Sequence, residues 1–209
     1  MIVPALLSDK KEELVKMIKL CSDFTDYIQI DIMDGSFVPS KSVTVKDLKR
    51  LKLPLKSEAH LMVDDPLLWV KSFQELGTEK IIFHFEINAD HEKIISEIQK
   101  VGLKAGIAVN PSTSIDKLKV FIDKVDTFLF MSVNPGFYGA EFIPEVLDKI
   151  KEFKDKYPHK IVGIDGGIKT DNLIAVKNSG VDYICIGSAI MKDLNPKQAY
   201  KKFSEVLNA

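Results

Sequence analysis

Eight short apolar runs alternating with segments of helical periodicity constrain this chain more than any other feature. The runs cover Ile2–Leu6, Tyr27–Asp31, Lys56–Leu61, Lys80–Phe85, Lys104–Val109, Thr127–Val133, Lys160–Ile164 and Tyr183–Ile186. Between them, apolar residues recur at the i, i+3, i+4, i+7 spacing of a helix buried on one face. Ile94, Ile95, Ile98 and Val101 show this spacing, as do Leu118, Phe121, Ile122 and Val125, and then Phe142, Val146, Leu147 and Ile150. Ala199, Phe203, Val206 and Leu207 close the chain with a fourth stripe. Ser8, Ser114 and Thr170 stand where N-caps are expected. Strand–helix alternation implies a parallel sheet, because each right-handed crossover lays a helix against it. Eight units, with strands apolar on both faces, predict a closed α/β barrel, (β/α)8 or TIM, rather than an open doubly wound sheet. At 209 residues the chain is short for that fold, and no Pro/Gly/Ser-rich linker breaks it. One barrel domain over residues 1–209 is expected.

Composition narrows the function classes. Apolar residues make up 45% and charged residues 28%, as in an ordinary globular protein. The net charge of −1 gives no reason to expect a nucleic-acid partner. No run approaches the roughly 18 apolar residues of a membrane span, and no leader pattern opens the chain. Cys21 and Cys185 are too few and too far apart for a disulfide framework. A cytoplasmic location is expected.

A barrel places its functional groups where strands end, at the C-terminal face. Ile28-Gln29-Ile30-Asp31-Ile32-Met33-Asp34-Gly35 puts Asp31 near the end of an apolar strand and follows it with a turn signal. A carboxylate there is costly unless it is paired, bound to metal or used in chemistry. The other strand ends carry His60-Leu61-Met62, His84-Phe85-Glu86, Asn110-Pro111, Ser132-Val133-Asn134-Pro135-Gly136, Asp165-Gly166-Gly167 and Gly187-Ser188. Asp165 alone could be a turn residue, and a lone histidine is more often an interior one. Two Asp and two His on one face argue for a site. Glycines recur in the loops after the last three strands, where the backbone can approach an anion, which points to a phosphorylated ligand.

With these residues in place, the chain resembles the ribulose-phosphate 3-epimerases over essentially its whole length. Asp31-Ile32-Met33-Asp34-Gly35-Ser36-Phe37-Val38-Pro39 is similar to the family's D-x-M-D-G-x-F-V-P, and His60-Leu61-Met62 to its H-L-M. Met131-Ser132-Val133-Asn134-Pro135-Gly136-Phe137, Asp165-Gly166-Gly167-Ile168 and Gly187-Ser188-Ala189-Ile190 match the later signatures. The resemblance implies a barrel of the ribulose-phosphate-binding type and a soluble homo-oligomer, dimer or hexamer, acting on a phosphorylated ketose. It implies Asp31 and Asp165 as opposed acid and base, with a divalent metal (Zn, Mn, Mg or Fe) held by Asp31, His60 and Asp165. His60, Met33, Met62 and Met131 would border the substrate. Gly136, Phe137, Tyr138, Gly139, Gly166, Gly167, Gly187 and Ser188 would hold its phosphate.

Four positions depart from the family pattern. Gln29 stands where a fourth ligand, His, is usual, and Ala5 where a substrate-contacting Ser is usual; Tyr138 and Ala140 alter the phosphate loop. Gln29 could ligate through its amide oxygen, a donor that suits Zn²⁺ less well than imidazole. The activity implied is 3-epimerisation of D-ribulose 5-phosphate or a related pentulose or hexulose phosphate. Two other readings stay open: a catalytically silent phosphosugar-binding barrel, and another phosphosugar reaction such as decarboxylation or aldol cleavage. Related decarboxylases carry D-x-K-x-x-D, and Asp31-Ile32-Met33-Asp34 has no lysine.

Overall fold

The computed structural model of the chain describes residues 1–49, 51–136 and 140–208. Eight parallel strands close into a barrel in sequence order. They are β1 (Ile2–Leu6), β2 (Tyr27–Met33), β3 (Lys56–Met62), β4 (Lys80–His84), β5 (Lys104–Val109), β6 (Thr127–Met131), β7 (Ile161–Asp165) and β8 (Tyr183–Ile186). The helices are α1 (Lys11–Cys21), α2 (Val45–Leu48), α3 (Leu67–Glu75), α4 (His91–Lys100), α5 (Glu145–Lys156), α6 (Leu173–Asn178), α7 (Ser188–Met191) and α8 (Pro196–Asn208). Among the described residues, no helix is long and apolar enough to cross a membrane.

Every expected strand forms, with shifts at the ends. β2 runs two residues further than expected because its pairing with β3 continues to Met33 opposite Met62. β6 stops at Met131, since Ser132 begins the loop that ties back to β7. The stripe at Leu118 and Phe121 is a 3₁₀ helix, Ile115–Phe121, rather than an α-helix. Its buried residues Ile115, Leu118 and Phe121 recur every three positions, the period of that helix. Ser114 caps it by accepting from the Asp116 N–H. Ser8 and Thr170 do not cap helices: Ser8 organises the turn before α1, where Lys10 is the N-cap, and α6 begins after Asn172.

Period-two alternation sorts each strand into an outer and an inner face. The outer face is apolar but for Ser57, which bonds Thr78: Ile28, Ile30, Ile32, Ala59, Leu61, Ile81, Phe83, Ile107, Phe128, Phe130, Val162 and Ile164 join the helix side chains in one large core. Phe153 of α5 packs on Phe128 and Phe130 with ring centroids 5.0 and 5.3 Å away. Each such side chain contributes about 1.5–3 kcal/mol by leaving water.

The inner face departs from the expectation of strands apolar on both sides. A small apolar cluster including Val3, Ala5, Ile82, Ala108 and Leu129 lines part of it. The rest is polar: Gln29, Glu58, His60 and His84 are fully buried. Glu58 is neutralised by Lys80, whose Nζ lies 2.7 Å away, and accepts from the Tyr27 hydroxyl at 3.3 Å. Lys80 also lies over the Tyr183 ring, 4.5 Å from its centroid. The ring has room because β7 carries Gly163 opposite Tyr183; a Cβ at Gly163 would come within 2.3 Å of the ring. Gly163→Ala is therefore expected to destabilise the protein by about 1–3 kcal/mol, read as a lower urea midpoint. An unchanged midpoint would show that the ring can move aside.

Candidate active site

Residues spaced two apart on β2 and β3 face the same side, so Gln29, Asp31 and Met33 rise in layers beside Glu58, His60 and Met62. Asp31 stands opposite His60 in the register. Asp165 is the last residue of β7, between Met131 of β6 and Cys185 of β8. The three functional side chains thus arrive from separate strands at one level. His60 Nδ1 lies 3.2 Å from Asp31 Oδ1 and 3.4 Å from Asp165 Oδ2. Each Asp keeps only 9% of its surface exposed and His60 none.

Gln29 sits at the floor of this group. Its amide NH₂ donates to Asp31 Oδ1 at 2.8 Å and to Asp165 Oδ2 at 2.6 Å. Its amide oxygen faces the other way and accepts from the Cys185 thiol at 3.0 Å. Two carboxylates can only accept, so the NH₂ end must face them. Here the Gln29 amide is a neutral donor bridging the acid pair.

Burial is the largest influence on Asp31 and on His60. It pushes the Asp31 carboxyl up, to about 6, against the bond from His60, and the Asp165 charge pushes the same way. Burial works to lower the His60 imidazole, but its hydrogen bonds to Asp165 and Asp31 prevail and raise it to about 9. A positive His60 offsets one of the two negative charges.

A divalent cation would be an alternative compensation. One atom each from Asp31, His60 and Asp165 lie within 4.8 Å of one another. Two carboxylate oxygens and an imidazole nitrogen form a donor set that fits Zn²⁺, Mn²⁺ or Fe²⁺.

Above this group opens a cleft of about 570 Å³ of free space. Met33, Met62 and Met131 line it near the acid pair, and Ala5 presents a methyl where no hydroxyl is available. Gly136, Gly166, Gly167, Gly187 and Ser188 line its other side. Gly166 and Gly167 hold positive φ, 115° and 63°, and a Cβ on Gly166 would come within 2.5 Å of Val133. That backbone is bare by steric necessity, which lets a ligand come close to it, while the Gly166 and Gly167 carbonyl oxygens accept from Ser132 and Asn172. Phe137, Tyr138 and Gly139 lie outside the described residues.

Several residues that the sequence placed in strand-end motifs without a role hold the site. Ser132 donates to the carbonyl oxygens of Asp165 (3.1 Å) and Gly166 (2.6 Å), anchoring the end of β7. Asp34 accepts from the N–H groups of Ser36, Phe37 and Asp64, joining the loops after β2 and β3. His84, one of the strand-end histidines, stands behind His60 rather than in the cleft, with Glu86 beyond it.

An eight-stranded barrel with an acid–histidine–acid group at the C-terminal face, opposite a bare glycine backbone, defines a small-molecule enzyme class. Comparison with known proteins narrows it. The sequence profile of the ribulose-phosphate 3-epimerase family matches residues 1–191. The "Ribulose-phosphate 3-epimerase" of Aquifex aeolicus is 37% identical over 194 residues, covering 88% of this chain and 86% of the relative. That of Schizosaccharomyces pombe is 31% identical over 206 residues, covering 94% and 89%. The chain belongs to the ribulose-phosphate 3-epimerase family, a family of isomerases. Its fold also matches that of 3-hexulose-6-phosphate synthase from Salmonella typhimurium, with a TM-score of 0.71 at 14% identity over 99% of this chain and 98% of the other.

Both cysteines are buried, and burial raises both thiols: Cys21 to about 12, and Cys185 well above its usual value, with the Asp165 charge adding to burial there. The thiolate is the reactive form. Iodoacetamide at pH 8 is expected to label neither cysteine in the folded protein and both after denaturation, by mass spectrometry. Fast labelling of Cys185 in the native state would show that the floor of the site is open.

Proposed function

We propose that this protein is a ketose-phosphate 3-epimerase, interconverting D-ribulose 5-phosphate and D-xylulose 5-phosphate or a closely related pentulose or hexulose phosphate. The observation that carries the reading is the convergence of Asp31 and Asp165 beside His60 at the floor of a cleft walled by glycines. C3 of a 2-ketose phosphate is α to a carbonyl, so its proton can be removed if negative charge on the resulting enediolate is stabilised. Inversion requires a base on one face of C3 and an acid on the other.

Asp31 on β2 takes the C3 proton as a carboxylate, and Asp165 on β7 delivers a proton to the opposite face; the reverse reaction exchanges their roles. An upward-shifted carboxyl at Asp31 suits this cycling between acid and base. Asp31, His60 and Asp165 would hold a divalent ion, which supplies Lewis-acid stabilisation of charge on the sugar oxygens. Gln29 keeps the two carboxylates in place from below. Met33, Met62 and Met131 exclude water from the reacting carbon, and the loops at Gly136, Gly166, Gly167, Gly187 and Ser188 receive the phosphate. Among the described residues no lysine lines the cleft, which weighs against decarboxylation, where a cation must stabilise the carbanion.

One observation favours the silent binding barrel: an amide donor, Gln29, already satisfies both carboxylates. Solvent exchange separates the two readings. In D₂O the protein is expected to exchange the C3 proton of D-ribulose 5-phosphate, followed by NMR. Asp31→Asn and Asp165→Asn should each reduce net epimerisation by at least about 10³-fold, the upper part of the range for general acid–base catalysis. Normal turnover in either variant would sink the two-carboxylate mechanism, and absence of exchange with every divalent metal and both sugar lengths would favour the binding barrel.

A further inference from the structure

We propose that His84 and Glu86 act as a positioning relay that fixes which nitrogen of His60 faces the acid pair. The proposal rests on the reading above, in which His60 serves as a ligand. His84 comes from β4, and its ring stacks on His60 with centroids 5.1 Å apart and an interplanar angle of 28°. The two Nε2 atoms face each other at 2.9 Å. On its far side, His84 Nδ1 lies 3.3 Å from Glu86 Oε2.

Hydrogen-bond logic then runs in one direction. An ionised carboxylate only accepts, so His84 donates to Glu86 from Nδ1. With its proton committed there, the neutral His84 ring offers Nε2 as an acceptor. Two facing nitrogens cannot both be lone pairs, so His60 donates from Nε2. Its Nδ1 is thereby turned to Asp31 and Asp165 as the atom available to a cation, the role that partners behind a ligating histidine commonly play.

The far end of the relay is anchored. Glu86 Oε1 accepts from the Asn110 N–H at 2.9 Å and the Thr113 hydroxyl at 2.6 Å. Lys149 of α5 grips the same loop through the carbonyl oxygens of Pro111 and of Thr113, the latter at 2.8 Å. Phe37, from the loop after β2, packs on the His84 ring with centroids 4.7 Å apart. A purely structural filler would not need these groups: Ile82, on the same face of β4, fills the barrel without any polar atom.

The chain has four histidines, which makes ¹⁵N-histidine spectra tractable. The wild type is expected to show His84 protonated at Nδ1 and not at Nε2, and a proton on His60 Nε2 whether or not its Nδ1 also carries one; a proton on His84 Nε2 with none on His60 Nε2 overturns the proposal without recourse to any variant. Zn²⁺ titration against a chromophoric chelator gives the second readout. Glu86→Ala is expected to weaken Zn²⁺ binding about 10–100-fold and to mix the tautomers of both rings. Glu86→Gln, whose amide oxygen still accepts from His84, should retain most of the affinity and the wild-type spectrum. Unchanged affinity and spectra in Glu86→Ala would overturn the relay. If the wild type takes up no Zn²⁺, the ligand reading of His60 falls, and the nitrogen spectra alone decide the relay.

Discussion

Two carboxylates, Asp31 and Asp165, are held almost out of water at one end of a barrel, each within hydrogen-bond distance of the same amide nitrogen. Like charges placed so close repel, and removing each from water costs several kcal/mol unless donors surround it. Much of the inner face answers that demand. Gln29 supplies two N–H groups and His60 a positive edge, while His84 and Glu86 support His60 from behind. The apolar outer face makes this tolerable. Eight strands clamped by helices hold the polar column in a rigid frame, so the donors do not have to be ordered at the moment of use.

The loops extend the same logic to the mouth. Ser132 fixes the backbone at Asp165 and Gly166, so one side chain sets both the acid and the start of the glycine wall. Asp34 ties the loops after β2 and β3 together and thereby seats Phe37 against His84. The second aspartate of the Asp31-Ile32-Met33-Asp34 stretch is thus a loop organiser, although its spacing from Asp31 could suggest a second catalytic acid. The difference is the strand end: Asp31 faces inward on β2, whereas Asp34 has left it.

The barrel was legible in the sequence because its outer face repeats with period two in Ile, Val and Phe, and its helices with a longer period. Strand-end positions followed from that, and so did Asp31, His60 and Asp165. What stayed hidden was the partnership among inward residues. Gln29, Glu58, Lys80 and Cys185 sit in runs that read as apolar, and their neighbours come from strands more than 20 residues away in sequence. The direction of the Gln29 amide depends on Asp165, 136 positions later, and the Cys185 thiol, 156 positions later, meets its oxygen. No local pattern carries that information. The same holds for Glu86, whose partners Asn110 and Thr113 lie across the next strand.

Gln29 bears most directly on how the site balances charge. An imidazole at this position would add a ligand; an amide instead offers its NH₂ to both acids, so a cation entering between them would meet that group first. Rotating the amide would present its oxygen to the cation, and the acids, now bound to the cation, would lose little. The bond broken in that rotation is the one from Cys185 to the amide oxygen, and the thiol has Glu58 Oε1 at 3.8 Å as a weaker alternative. One hydrogen bond of this kind contributes about 0.5–1.5 kcal/mol, which corresponds to roughly tenfold in affinity at most. On this arithmetic Gln29 would weaken the site for a cation without closing it, and the Cys185 contact would set how strongly.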